Sequence, residues 1–182
     1  MNQEKRNPAN QLTREYMVLA LMKLLEYKPL STISISEITK KAGVSRMTYY
    51  RNYASKEEIF KSHLEDIFAS YKKDISVWTP KGRYDDMKHM QHCFQYFYSY
   101  KDFIRCLIKS GLGDLVRNAL SAYMIETYYS KNDDVSTYYT LQAFAGSLYN
   151  IYIAWIDRDN AEPASKMASI MHSIYNPASV MN

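Results

Sequence analysis

Cysteine is scarce in this chain: Cys93 and Cys106 are the only two in 182 residues. That excludes a disulfide-stapled secreted scaffold and leaves no zinc-finger spacing, so reduced thiols are the expectation. Glycine and proline are equally few, five of each, and all but Gly146 fall between periodic segments. Long hydrophobic runs are missing too. The longest, Phe144 to Ile156, is interrupted by Ser147 and Asn150 and is too short for a bilayer. The opening stretch MNQEKRNPANQ lacks the apolar segment of a secretory signal. No run alternates apolar and polar residues long enough to argue for a sheet, and there is neither an internal repeat nor a low-complexity tract. A composition 47% hydrophobic and 23% charged excludes global disorder. What remains predicts an all-α, cytoplasmic protein with no membrane partner.

Helical period dominates between the glycines and prolines. It predicts helices near 10–28, 35–42, 46–52, 56–78, 83–100, 101–110, 114–130, 135–157 and 162–175. Ser34-x-x-Glu37 and Ser55-x-x-Glu58 both have capping-box spacing, so helices should start there. In the fourth helix Phe60, Leu64, Ile67, Tyr71, Ile75 and Trp78 form one apolar stripe. This parsing gives two domains, a small head over 1–55 and a helical body over 56–182.

Charge separates the two. Residues 1–63 hold 11 Lys or Arg against 6 Asp or Glu, whereas 64–182 hold 12 against 13. Between Lys28 and Lys56 six basic residues (Lys28, Lys40, Lys41, Arg46, Arg51 and Lys56) face the lone acid Glu37. Such a patch suits a polyanion. The same stretch reads as a helix-turn-helix. Ile35, Ile38 and Ala42 make the inner face of one short helix, Gly43 permits the turn, Val44 plugs it, and Ser45 caps the next helix. The second helix of such a unit lies in the major groove, which makes Arg46, Met47 and Thr48 the expected base readers. Tyr49 and Tyr53 should face inward, while Tyr50 and Arg51 flank the reading surface within reach of phosphates. Lys56 opens the following helix, at an end that favours an anion.

From about Leu12 to Phe60, without a gap, the chain resembles the DNA-binding domain of TetR-family bacterial transcription regulators. The matching elements are the apolar first helix ending before Pro29, Ser34 and Ile35, the turn Ala42-Gly43-Val44-Ser45, Thr48 and Tyr50, and Tyr53-x-Ser55-Lys56-Glu57. The resemblance implies that Ser34, Thr48, Tyr50 and Lys56 contact the DNA backbone, and that Arg46, Met47 and Arg51 approach bases. Ser45 belongs to the same DNA-facing set. This chain departs from the family pattern at Met47, where a small residue is common, at Thr39, often alanine, and at Asn52, often histidine. The last 40 or so residues loosely resemble a C-terminal domain of regulators from low-GC Gram-positive bacteria, some similar to the coactivator of dihydroxyacetone kinase operons.

The helix over 135–157 is apolar on more than one face, which calls for burial on both sides. Leu141, Ala145, Leu148, Tyr152 and Trp155, with Gly146 allowing close approach, are the expected contact of a homodimer. Met167, Ile170, Met171 and Ile174 supply a matching face on the last helix, giving an isologous four-helix interface. Eighteen tyrosines are unusual, and Tyr96, Tyr123 and Tyr149 are candidates to line an effector cavity. Asp85, His89 and His92, at i, i+4 and i+7, have metal-ligand chemistry, yet no fourth ligand is evident and the reading is no bound metal. No cofactor motif and no catalytic set is visible, so an enzyme is not expected.

The sequence therefore predicts a DNA-binding regulator, a TetR-like repressor released from a palindromic operator by a small-molecule or protein effector. The alternatives at this stage are a coactivator or adaptor acting through protein contacts, and a metal-responsive regulator.

Overall fold

A computed structural model describes residues 8–78, 82–158 and 162–177. Every regular element among them is helical. They are α1 (Pro8–Leu25), α2 (Ile35–Ala42), α3 (Arg46–Asn52), α4 (Lys56–Ser76), α5 (Met87–Tyr98), α6 (Lys101–Lys109), α7 (Gly113–Tyr128), α8 (Val135–Ile156) and α9 (Ala164–Tyr175). A single 3-10 turn over Leu30–Thr32 joins α1 to α2. The chain divides into two compact units, Met1–Ile67 and Phe68–Asn182. The division falls inside α4, whose buried Ile59, Phe60, Leu64 and Ile67 lie in the first unit.

In the first unit α1 packs on α2 and α2 on α3. The core is Met17, Leu21, Ile33, Ile38, Tyr49 and Phe60, each at most 2% exposed. Thr39 stands among these apolar residues without cost, since its hydroxyl donates to the carbonyl of Ile35 at 3.0 Å. In the second unit α5 packs on α9, α7 on α8, and α6 on both α7 and α8.

The most visible departure from the sequence reading is at the start of α5. Residues 83–86 form a turn instead of a first helical coil. The Asp86 carboxylate accepts from the Arg83 backbone N–H at 2.6 Å. The Asp85 carboxylate takes a bidentate pair from the Arg83 guanidinium, both contacts at 2.8 Å. Aspartates that bond locally in this way favour turns over helix.

Candidate nucleic-acid interface

The head is set by its caps. Ser34 completes a capping box: the Glu37 N–H donates to Ser34 Oγ and the Ser34 N–H donates to Glu37 Oε2. At the far end of α2, Gly43 adopts φ 68°, the left-handed conformation that costs an L side chain dearly, and its N–H donates to the Lys40 carbonyl. The next turn starts at once. Ser45 Oγ accepts from the Thr48 N–H at 3.0 Å and shares a hydroxyl contact with Thr48 Oγ1 at 2.9 Å. Only one hydroxyl proton can occupy that contact, so the pair keeps a second to donate outward. The second capping box is halved. The Glu58 N–H donates to Ser55 Oγ, while the Glu58 carboxylate reaches back one residue further, to the Ala54 N–H.

α3 turns Tyr49 inward, 1% exposed, with Asn52 beside it, and Tyr53, in extended backbone just past the helix end, is buried as well. At 100° per residue the opposite direction falls between Met47 and Arg51, which therefore form the centre of the outward face. Arg46 and Tyr50 lie on one flank and Thr48 on the other. Met47 is 76% exposed and Tyr50 60%. Of the residues expected at bases, the helix geometry sets Met47 and Arg51 side by side, four residues apart, with Arg46 on the flank.

The electrostatics favour an anion. Glu37, the lone acid of the basic stretch, is engaged by the Lys28 ammonium and by Ser34, which hold its carboxyl down at about 2. No described acid pairs with Lys40, Lys41, Arg46 or Arg51. Two residues named with the DNA-facing set are otherwise employed. The Ser34 hydroxyl gives its proton to Glu37 Oε2 at 2.8 Å, leaving it nothing to donate to a phosphate oxygen. Lys56 Nζ donates to the carbonyls of Leu30 at 2.6 Å and Ile33 at 2.8 Å, and lies 3.5 Å from that of Ser31. It ties the 3-10 turn to the start of α4.

In the second unit, Tyr123 lines a cavity of about 20 Å³ together with Tyr71, Tyr84, His89 and Tyr128. Tyr149 lines another of about 30 Å³, with Phe68, Ile104 and Tyr152. Both share Cys93, Phe97, Leu120 and Leu148. Each holds about a water's worth of space, and no Asp, Glu, Lys or Arg lines either. Tyr96 lines neither; its ring packs on Tyr71 and His92. Burial pushes the Cys93 thiol up to about 12.

Asp85, His89 and His92 do not converge. Asp85 precedes α5 and its carboxylate belongs to Arg83, while both histidine rings lie edge-on to Trp78. Among the described residues no group of three His, Cys, Asp or Glu is placed to hold a metal ion.

The stripe Leu141, Ala145, Leu148, Tyr152, Trp155, Met167 and Met171 is buried inside a single chain. Its polar atoms are satisfied there as well. Tyr152 Oη donates to the Phe97 carbonyl at 2.6 Å, and Trp155 Nε1 to that of Glu162 at 2.7 Å. On the other face of α8 Tyr139, Ala143 and Asn150 are exposed and Gly146 and Ile153 half-buried, at steps of four, three, four and three. On α9 Ile170 and Ile174 are exposed. A Cβ built on Gly146 meets nothing within 4 Å.

A capped helix-turn-helix with an unpaired basic outward face, followed by a helical body, defines a DNA-binding regulator. The family comparisons agree. Residues 18–62 match the family of bacterial regulatory proteins, tetR family, and residues 87–177, half of the chain, match the transcriptional regulator C-terminal region of TetR-type proteins. The chain belongs to the TetR family of transcriptional regulators.

No curated protein matches the chain. Among solved structures, a TetR transcriptional regulator from Streptococcus agalactiae 2603V is similar over 95% of this chain and 98% of its own, at 20% identity and TM-score 0.59. A putative fatty acid metabolism regulator from Clostridium perfringens is similar over 87% and 95%, at 20% identity and TM-score 0.59. The dihydroxyacetone kinase operon activator DhaS is similar over 91% and 95%, at 17% identity and TM-score 0.58. At these identities the likeness is one of fold.

Proposed function

We propose that the chain acts in the cytoplasm as a homodimeric repressor that grips a near-palindromic operator and lets go when an effector binds its second unit. The observation that carries this reading is the outward face of α3, where Met47 and Arg51 project between Arg46, Tyr50 and Thr48 with no described acid to neutralise them. Arg46, Met47 and Arg51 meet bases; Thr48, Ser45 and Tyr50 meet phosphates. Tyr139, Ala143, Gly146, Asn150 and Ile153 of α8, with Ile170 and Ile174 of α9, form the dimer contact. The step of the α8 residues is that of a coiled-coil seam, and its small members permit close approach. A twofold dimer presents its reading helices to successive major grooves, roughly 34 Å apart. Effector binding acts by opening the Tyr123 and Tyr149 cavities, which favours one of two states of the body. In this reading the chain catalyses nothing.

The test is duplex binding measured at several salt concentrations. Arg51→Ala should weaken binding to the selected operator by about tenfold or more and flatten discrimination against scrambled duplex, since a base contact is worth about 1–3 kcal/mol. Unchanged affinity and discrimination would refute the assignment.

A further inference from the structure

The reading helix carries an unusual inventory for a DNA-facing surface. Its outward face has two guanidiniums, a phenol, a hydroxyl and one thioether, that of Met47. It offers no carboxylate to accept from cytosine N4. Its only carboxamide, on Asn52, lies on the inner side and donates to the Thr48 carbonyl at 2.7 Å, so no bidentate amide is available for adenine. The arginines suit guanine. Met47, at the centre of the face, has no hydrogen-bonding proton to give. The one feature of the major groove that such a side chain recognises is the C5 methyl of thymine.

We infer that Met47 reads a thymine methyl group in each half of the operator. The inference rests on the DNA-binding reading of α3 and goes beyond it by naming the base. A Met side chain that is 76% exposed in the free protein buries its terminal methyl against that of the base. The gain comes from apolar surface leaving water on both sides, with no hydrogen bond exchanged. One methyl's burial corresponds to about a fourfold change in affinity per half-site.

The test starts from a duplex selected by the full chain from a random pool. Each thymine in it is then replaced by deoxyuridine, which lacks only the methyl. The expected result is one position per half-site where the parent protein loses about fourfold in affinity. Met47→Ala binds the thymine duplex more weakly and loses its sensitivity at that position, while Met47→Leu retains it. Because Met47 is exposed, neither variant should alter the circular dichroism spectrum or the unfolding midpoint. A selected duplex in which no thymine is sensitive overturns the Met47 assignment and leaves DNA binding standing. So does a Met47→Ala variant with undiminished sensitivity. Failure to enrich any sequence from the pool overturns the DNA-binding reading, and this inference with it.

Discussion

Single side chains in the head divide into those that face outward and those that hold the scaffold, and identity does not decide which. Lys56 shows this best. A lysine at the start of a helix beside a basic surface has the composition of a phosphate contact, yet its ammonium is coordinated by the Leu30 and Ile33 carbonyls. Lys56→Ala should therefore lower stability by about 1–3 kcal/mol, the cost of leaving the partly buried Ile33 carbonyl without a donor, while that of Leu30 keeps the Ile33 N–H. The salt dependence of DNA binding should stay as it was. Urea unfolding and binding isotherms at several ionic strengths measure the two separately. Undiminished stability with a shallower salt slope would return Lys56 to the phosphates. Arg46 and Arg51, by contrast, form no ion pair among the described residues. Their charge is available to the duplex, and so is that of Lys40 and Lys41 in the last turn of α2.

Among the elements, α2 and α3 were legible to the residue, because their ends are written in side chains: Ser34 and Gly43 bound one, Ser45 opens the other. The α2 cap has a pH signature. Lys28 first, then Ser34, hold the Glu37 carboxyl at about 2 against an ordinary 4.5. A depressed pKa means that the native state resists protonation more than the unfolded chain does. The contribution is therefore complete above 4.5 and is lost as pH falls through about 2. The stability difference between the parent and Glu37→Gln should be constant at neutral pH and shrink steadily below 4.5; a difference independent of pH across that window would contradict it. Other elements were less legible. The predicted first turn of α5 is lost to aspartate bonds that a helical period cannot register. On α8 the periodicity found two apolar faces correctly, but it cannot say which one the protomer uses itself. The chain spends the bulky stripe, Leu141 to Trp155, on its own core; of the second face, Ala143, Gly146, Ile153 and Ile156, it buries Ile156 as well, leaves Gly146 and Ile153 half-buried and exposes Ala143. The pairing of Met47 with Arg51, by contrast, follows from their four-residue spacing once Tyr49 faces inward, which the sequence also predicts.

At the scale of the whole molecule, two compact units divide the labour that the charge distribution already divides. The first carries the basic excess and the helix-turn-helix. The second is nearly neutral, has no helix long and apolar enough to cross a membrane among the described residues, and uses several of its tyrosines for packing and for the walls of two small cavities. The proposed repressor works as two copies, since in that reading one α3 meets only half of a palindrome. Sedimentation equilibrium of the full chain, alone and with one equivalent of selected duplex, measures this directly. The account predicts a dimer in solution and two chains per palindromic duplex. It also predicts that Ala143→Glu with Ile174→Glu, both at open positions, gives a folded monomer that releases the duplex. A parent chain that stays monomeric and binds the duplex one to one, or a double variant that remains dimeric, would contradict it.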